Sequence, residues 1–331
     1  MAGSTSAAAD PVRGAALRTV LAAALAATPA AVLASAAIDY VGSAASLIGR
    51  VTVVDARAQA ACLKRSIDGA RCLPAAQFLG PHGRLAGFRE IFWLLGTAGL
   101  SGSEHVLVAG DDPTERDFVA GMLYLCGQRE VSILTLPLSQ GAGLPAARLG
   151  TGVGRAMTRK PFYQATVREG DIVLRSELAR TLASGDAPQI LDGRSDAEYW
   201  GERIRALRGG HLPSAQSLPL SVARRRLALG RLELPAGRRF LVYGHDPFES
   251  VAYFTLLRAA AGADVQVLRD GWVDWANHPE LPMAAVTYPE ARPAPPPAPP
   301  DRRWLMPLLL FSLVLLLSMA GGLAHAWRRR R

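Results

Sequence analysis

Two copies of one short pattern, Gly-x-Asp-Pro-x-Glu, place titratable side chains where they could take part in acid–base or metal chemistry. The copies contain Gly110, Asp111, Asp112 and Glu115 in the first half of the chain, and Gly244, His245, Asp246 and Glu249 in the second. Carboxylates and imidazoles bind metal ions, but a site needs ligands from more than one place. The same pattern is also a good helix start, with Asp as N-cap, Pro at the first helical position and Glu at the third. We favour the helix start, and no metal or cofactor is predicted.

The chain has three cysteines, Cys62, Cys72 and Cys126. Their spacing makes neither a Cys-x-x-Cys motif nor a zinc site. The favoured interpretation is small buried apolar side chains. In an oxidising compartment one pair could form a disulfide, and the spacing does not choose the pair.

Short apolar strands alternate with helices in the same order in both halves. The predicted strands are 51–54, 105–109 and 131–134, then 189–191, 240–243 and 265–268, and the predicted helices are 114–126 and 249–261. This alternation predicts parallel sheets covered by helices on both faces. Each Gly-x-Asp-Pro-x-Glu pattern then lies between a central strand and its helix, and residues 141–172 connect the two domains.

The second half contains a series of distinctive short motifs. They are Asp192-Gly193-Arg194-Ser195, Glu198-Tyr199-Trp200, Gly210-His211-Leu212-Pro213-Ser214-Ala215 with Leu218-Pro219, and Asp270-Gly271-Trp272-Val273-Asp274-Trp275 with Leu281-Pro282. Taken together, they resemble the motifs of a rhodanese domain. In the first half, Asp55-Ala56-Arg57, Ile67-Asp68-Gly69-Ala70, Leu73-Pro74 and Leu94-Leu95-Gly96 are similar to the more degenerate half of tandem thiosulfate and 3-mercaptopyruvate sulfurtransferases. The resemblance implies an α/β fold class with two rhodanese-like, doubly wound parallel-sheet domains, at 37–140 and 173–284.

In active members of that family, a Cys after the central strand carries a persulfide, held by backbone N–H groups at a helix N-terminus. Matching strand to strand puts Gly244 and Gly110 at the Cys position. We therefore predict that neither loop transfers sulfur and that no residue is catalytic. His211 is interpreted as structural, Trp272 and Trp275 as packing residues, and Arg224, Arg225 and Arg226 as a solvated helix face.

Both ends of the chain carry membrane signals. Residues 305–324 are uncharged and rich in Leu, long enough to span a bilayer, and lie between Trp304 and Trp327 with four arginines following. The predicted organisation is a signal peptide or first membrane helix at 1–36, a Pro-rich spacer at 285–303, a transmembrane helix at 304–327 and a basic cytoplasmic tail at 328–331. The Arg, Ala and Gly bias suggests a bacterium, so we expect the domains on the outer side of the inner membrane.

The net charge of +9 is concentrated at the ends: residues 301–331 contribute +5 and residues 1–36 contribute +1. The remaining +3 is too dispersed for nucleic-acid binding. The expected partners are the lipid bilayer and an unidentified protein. The leading hypothesis is a non-catalytic binding module. The alternatives are a sulfurtransferase using a displaced thiol, with Cys126 as carrier, and a purely structural assembly subunit.

Overall fold

The computed structural model describes residues 37–157, 162–185, 188–235 and 237–285. Their main elements are two five-stranded parallel sheets, one in each half of the chain. The first half contains β1 (Ala37–Val41), β2 (Thr52–Asp55), α1 (Gln59–Lys64), β3 (Ser66–Ile67), β4 (Arg71–Cys72), α2 (Phe88–Ala98), β5 (His105–Ala109), α3 (Pro113–Leu125), β6 (Glu130–Leu134) and β7 (Leu149–Gly150). The second half contains β8 (Ile172–Val173), α4 (Arg175–Ser184), β9 (Gln189–Asp192), α5 (Asp196–Tyr199), β10 (Ala215–Ser217), α6 (Leu220–Ala228), β11 (Arg239–Tyr243), α7 (Pro247–Ala261), β12 (Asp264–Leu268) and α8 (Gly271–Ala276). Short 3-10 turns cover Ala75–Phe78, Pro81–Gly83, Leu138–Gly143, Ala146–Arg148 and Glu169–Asp171.

The two sheets have the same order of strands. The first is β1-β6-β5-β2-β4 and the second β8-β12-β11-β9-β10, with parallel pairing throughout. The central strands β5 and β11 are apolar and almost wholly buried, as expected for strands covered on both faces. The prediction of an α/β fold with parallel sheets is therefore confirmed, with strand boundaries within one residue of those expected.

The halves pack through α3 and α7. Gly121 allows the close approach: a Cβ atom there would lie 2.1 Å from the hydroxyl of Thr255 and 2.7 Å from Val251. The Phe118 and Phe248 rings, with centroids 5.0 Å apart, complete this apolar contact. Two helices that meet this closely bury a continuous core across the two halves.

The expectation that Arg224 lies on a solvated face is wrong, whereas Arg225 and Arg226 are exposed. Arg224 on α6 forms an ion pair with the buried Asp117 at 2.8 Å and donates a hydrogen bond to Thr114. Burial raises the pKa of the Asp117 carboxyl, while Arg224 and Arg116 act to lower it. A buried carboxylate needs such a partner, so the contact holds the halves together.

A disulfide joins Cys62 and Cys72, so the favoured interpretation of three free buried cysteines is wrong for this pair. The short connection through β3 folds back on itself and brings the Cα atoms within 5.7 Å. Cys126 is free and buried.

Residues 141–172 are predicted as an inter-domain connection. The part from 141 to 157 packs on the first half, whereas Ile172 already pairs with Val267 in the second sheet. β7 pairs with β3, and Val153 exchanges backbone hydrogen bonds with Ala70 and Cys72. Gly152 passes over the disulfide so closely that a Cβ atom would lie 2.3 Å from the Cys62 sulfur.

Within the described ranges, no helix is long and apolar enough to cross a membrane. The predicted signal segment 1–36, almost all of the spacer and the helix 304–327 lie outside those ranges.

Candidate functional site

The loop between β11 and α7 is held by its own capping residues. Asp246 is the N-cap and accepts a hydrogen bond from the N–H of Glu249 at 2.9 Å. The Glu249 carboxylate reaches back and accepts from the N–H of His245, which is one residue before the N-cap N–H that donates in a standard capping box. The N–H of Gly244 donates to the Ser250 hydroxyl at 2.9 Å. Three backbone donors that could hold an anion are therefore already used.

The space above Gly244 is closed by the first turn of α7. A Cβ atom built on Gly244 would lie 2.6 Å from Cβ of Glu249, 2.7 Å from its carbonyl carbon and 2.8 Å from the Ser250 nitrogen. Two of these contacts are with backbone, which cannot rotate away. The loop as folded accepts glycine at this position and no larger side chain.

The other side of the loop is fastened to α8. Trp272 N–H donates to the Gly244 carbonyl at 3.0 Å, and Val273 N–H donates to the His245 carbonyl at 2.7 Å. Gly271 makes the approach with φ of +66°, where a Cβ atom would lie 2.8 Å from the Ser250 hydroxyl. Trp272 and Trp275 are buried, as predicted for packing residues.

An ion-pair chain crosses the mouth of the loop. Arg205 donates to Glu249 and to Glu198, both at 2.7 Å. Burial raises the pKa of Glu249, and Arg205 partly opposes that effect. Burial also acts to raise the pKa of Glu198, but hydrogen bonds from Ser195 and the charge of Arg205 lower it overall. The charge of Arg205 thus favours the ionised form of both carboxylates.

His245 lies beneath this chain with 9% of its surface exposed. Its Nδ1 is buried and has no hydrogen-bond partner among the described residues; the nearest carboxylate oxygen, on Glu198, is 4.0 Å away. Burial lowers the pKa of His245, and the charge of Arg205 lowers it further. The imidazole is therefore neutral at pH 7.

Beneath the loop, the buried Asp192 carboxylate fixes the end of β9. It accepts from the backbone N–H and the guanidinium of Arg194 and from the Tyr243 hydroxyl, at 2.5 to 3.0 Å. Arg194 also donates to the Gly210 carbonyl and lies over the Trp272 ring at 4.5 Å. His211 stacks on Tyr199 and bonds its backbone carbonyl, a contact consistent with the predicted structural role.

The first-half loop has the same cap and a looser environment. Asp112 accepts from the N–H groups of Thr114 and Glu115, but Glu115 does not reach back to any described residue. Asp111 accepts from Ser139 N–H and lies 3.5 Å from the Arg57 guanidinium. A Cβ atom on Gly110 would lie 3.6 Å from Ala56, an ordinary contact. The first-half loop therefore has room for a side chain at Gly110, whereas the second-half loop has no such room at Gly244.

A polar cleft of about 810 Å³ opens beside the second-half loop. First-half residues 82–85 form one wall, and the other includes Arg175, His245, Asp246 and Arg269. Arg175 and Arg269 are neutralised by Asp274 and Asp270, whereas Arg84 is exposed. No three His, Cys, Asp or Glu side chains in the described part of the chain are grouped to hold a metal ion.

Comparison with known proteins identifies a family that the second half of the chain resembles. Residues 174–278 match the rhodanese-like domain family. This part of the chain is therefore similar to rhodanese-like domains.

Two curated relatives support the same family. A thiosulfate sulfurtransferase of Azotobacter vinelandii is 29% identical over 105 residues, which is 28% of this chain and 39% of the relative. SseA of Mycobacterium bovis is 30% identical over 141 residues, 37% of this chain and 48% of the relative. The chain therefore matches less than half of the length of each curated relative.

Solved structures show the fold over a longer part of the chain. A probable thiosulfate sulfurtransferase is similar with a TM-score of 0.54 and 24% identity, covering 72% of this chain and 98% of that one. YnjE has a TM-score of 0.59 at 18% identity, covering 74% and 64%. Wild-type EanB has a TM-score of 0.55 at 19% identity, covering 72% and 64%.

In the second half the predicted loop residues Gly244, His245, Asp246 and Glu249 lie together, and Gly110, Asp111, Asp112 and Glu115 form the corresponding first-half loop. Sequence reasoning missed Arg205 and Arg84. Arg205 is 44 residues from Glu249, and an arginine in an irregular segment carries no spacing signal. Glu198 belongs to the Glu198-Tyr199-Trp200 motif, which could have marked it as a partner for a cation.

Proposed function

We propose that this chain is a rhodanese-like protein, anchored in the inner membrane, that binds a protein partner outside the cytoplasm and does not transfer sulfur. The observation that carries the proposal is the closed loop at Gly244. Sulfur transfer needs a thiolate at this point, and a Cβ atom here would meet the α7 backbone at less than 3 Å. The loop N–H groups that would hold a persulfide already bond Asp246, Glu249 and Ser250.

The disulfide supports a location outside the cytoplasm. The Cys62–Cys72 bond is of the kind that persists in oxidising compartments. The Leu-rich segment 305–324 and the arginines after it support anchoring, with the domains on the outer side.

The cleft beside the loop is the proposed binding surface. Its walls come from both halves and are polar, which suits a charged segment of a partner protein. Arg84 is its exposed cation, because the other two arginines of the cleft already pair with aspartates.

Cross-linking tests this proposal. Full-length chain is cross-linked in its own membranes and its partners are identified by mass spectrometry, for the wild type, Arg84→Glu and Arg225→Glu. Arg225 is exposed on α6 and does not line the cleft, so it controls for charge reversal alone. We expect Arg84→Glu to lose a partner that Arg225→Glu retains. Equal capture by all three proteins would contradict the cleft as the binding surface.

The names of the relatives favour a second candidate, a thiosulfate sulfurtransferase that uses a displaced Cys. Cys126 is the available thiol, since Cys62 and Cys72 are paired. It is wholly buried at the far end of α3 from the Gly110 loop, and burial raises its thiol pKa far above the usual value. A thiol in that state is a poor nucleophile.

Mass spectrometry after thiosulfate treatment separates the two candidates. The sulfurtransferase candidate requires an adduct of about +32 Da, one sulfur atom, on Cys126 and its absence in Cys126→Ser. We expect no adduct on either protein.

A further inference from the structure

The charged side chains that line the cleft beside the Gly244 loop cancel at neutral pH. The cations are Arg84, Arg175 and Arg269, and the anions are Asp246, Asp270 and Asp274. Three further lining residues are histidines, namely His82, His245 and His278. Histidine is the side chain that ordinarily changes its charge between about pH 5 and about pH 8. The net charge of the cleft in this range therefore depends on its histidines.

Two of these histidines lie on different walls of the cleft and are open to solvent. His82 is exposed in the turn Pro81–Gly83 of the first half. His278 follows α8 in the second half, and its side chain is 35% exposed, with Nδ1 2.9 Å from a carboxylate oxygen of the exposed Glu280. Both imidazoles can therefore exchange protons with solvent and contact a bound ligand.

His245 is the most buried of the three, with 9% of its surface exposed. Its Nδ1 lies 4.0 Å from a Glu198 oxygen, so the protonated ring would have a carboxylate on the side away from solvent. Burial and the charge of Arg205 lower the pKa of His245. An anion bound in the cleft would oppose that shift, because a nearby negative charge favours the protonated imidazole.

Each histidine has charged neighbours that act on its protonation. His82 is two residues from Arg84. His278 has Glu280 beside it and Asp274 one helical turn before it, and Asp274 pairs with Arg175 of α4 at 2.7 Å. The charged groups around His245 are Arg194, Glu198, Arg205, Asp246 and Glu249. Burial raises the pKa of Glu249, so this carboxyl can also gain a proton in acid. Variants of the histidines are therefore needed to assign a pH effect.

We propose that the cleft binds an acidic segment of the partner protein and holds it more tightly as the pH falls through the histidine range. This inference rests on the proposed function, in which the same cleft is the binding surface. Protonation of the three histidines takes the formal charge of the lining from 0, three cations against three anions, to +3. The aspartates and glutamates of a partner ordinarily titrate near pH 4, so they keep their negative charge through most of this range.

The arrangement of these cations favours a segment over a single small anion. Arg84 and His82 lie on the first-half wall, whereas His245 and His278 lie on the other. The cleft between them has a volume of about 810 Å³, which is in the range of sites that hold ligands with many atoms. An extended acidic segment can place carboxylates against both walls at once. Binding of this anion to the protonated cleft takes up protons, so affinity must rise as the pH falls.

Anisotropy of a rhodamine-labelled hexaglutamate peptide tests the proposal on the full-length chain in zwitterionic detergent. The dissociation constant is measured at about pH 5.5 and about pH 7.5 at the same ionic strength, because salt screens charges in an open cleft. We expect the wild type to bind at least about tenfold more tightly at the lower pH, since the added charges lie on both walls. The ratio of the two dissociation constants is the readout.

Histidine variants show whether the cleft causes this ratio. His82→Asn combined with His278→Gln removes both solvent-accessible protonation sites and keeps polar side chains, and Asn tolerates the φ of 60° at position 82. We expect the ratio in this double variant to fall to within about threefold of one. His105 is on β5 and does not line the cleft, so His105→Gln should keep the wild-type ratio. Equal ratios in all three proteins would overturn the proposal.

Arg84→Glu separates this inference from the proposed function. Binding that Arg84→Glu abolishes, but that has the same strength at both pH values in the wild type, would overturn the pH dependence and leave the cleft as the binding surface. If hexaglutamate does not bind at either pH, the acidic partner is overturned, and cross-linking in membranes then tests the cleft alone. Equal competition by free glutamate at the same carboxylate concentration would assign the cleft to a small anion and would also overturn the proposal.

Discussion

The two Gly-x-Asp-Pro-x-Glu loops share a local sequence and a helix cap but lie in different surroundings. At Gly110 an added Cβ would make an ordinary 3.6 Å contact, whereas at Gly244 it would lie 2.6 to 2.8 Å from Glu249 and Ser250. The second loop is fastened to α8 and crossed by Arg205. The first is held at Asp111 instead, by the Ser139 N–H and the nearby Arg57 guanidinium. A shared motif therefore fixes how a helix begins, and the elements packed against it decide whether the loop is open or closed.

The largest effect should come from adding a single methyl group to each loop. Neither glycine has a positive φ, so alanine fits both backbones and only the space differs. We expect Gly244→Ala to lower the free energy of unfolding by about 2–3 kcal/mol through overpacking, and Gly110→Ala to change it by less than about 1 kcal/mol. Urea unfolding of both variants measures the difference. Equal losses would mean that the loops are equally closed.

The third helical position gives the next comparison. Glu249→Ala removes a hydrogen bond to His245 and the ion pair with Arg205, so we expect a loss of about 1–2 kcal/mol. Glu115 has no such partners among the described residues, and burial and the neighbouring Asp112 raise its pKa. Glu115→Ala should change stability by less than about 0.5 kcal/mol. A larger loss from Glu115→Ala would show that the first loop is held in a way not seen here.

The N-caps should behave alike, because both aspartates accept from the first-turn N–H groups. Asp112→Ala and Asp246→Ala should each cost about 1 kcal/mol. Asn at either position should restore most of that loss, since its amide oxygen can also cap. A stability loss that differed strongly between Asp112→Ala and Asp246→Ala would mean that the motif itself, and not its surroundings, makes the two loops different.

The smallest effect concerns pH. Burial and the charge of Arg205 depress the folded-state pKa of His245 below the usual histidine value of about 6.5, so the contribution of neutral His245 to folding stability is complete above that pH. That contribution is lost as pH falls through the folded pKa, because the unfolded state binds the proton first. His245→Gln should therefore flatten the stability curve below pH 6.5. The exposed His82, which has a positive φ that Asn tolerates, gives a control in His82→Asn.

Much of the framework could be predicted from the sequence, because it depends on local patterns. Short apolar runs located β5, β11 and β12, and the Asp-Pro-x-Glu segments located the starts of α3 and α7. The parts that were missed depend on contacts that no local sequence pattern specifies. Arg205 meets Glu249, Arg224 meets Asp117, and Cys62 pairs with Cys72 only once the strands are in place.

The closure of the Gly244 loop is another feature that the local sequence does not predict. The sequence predicts that a nucleophile is missing there, whereas the closure depends on how α7 and α8 approach the loop. Local composition carries no information about that distance.

A thiosulfate:cyanide sulfurtransferase assay on the full-length chain tests the central claim most directly. The account predicts turnover no higher than that of a protein-free reaction, for the wild type and for Cys126→Ser alike. Turnover by the wild type, above that background and proportional to protein concentration, would contradict the proposal that this chain does not transfer sulfur.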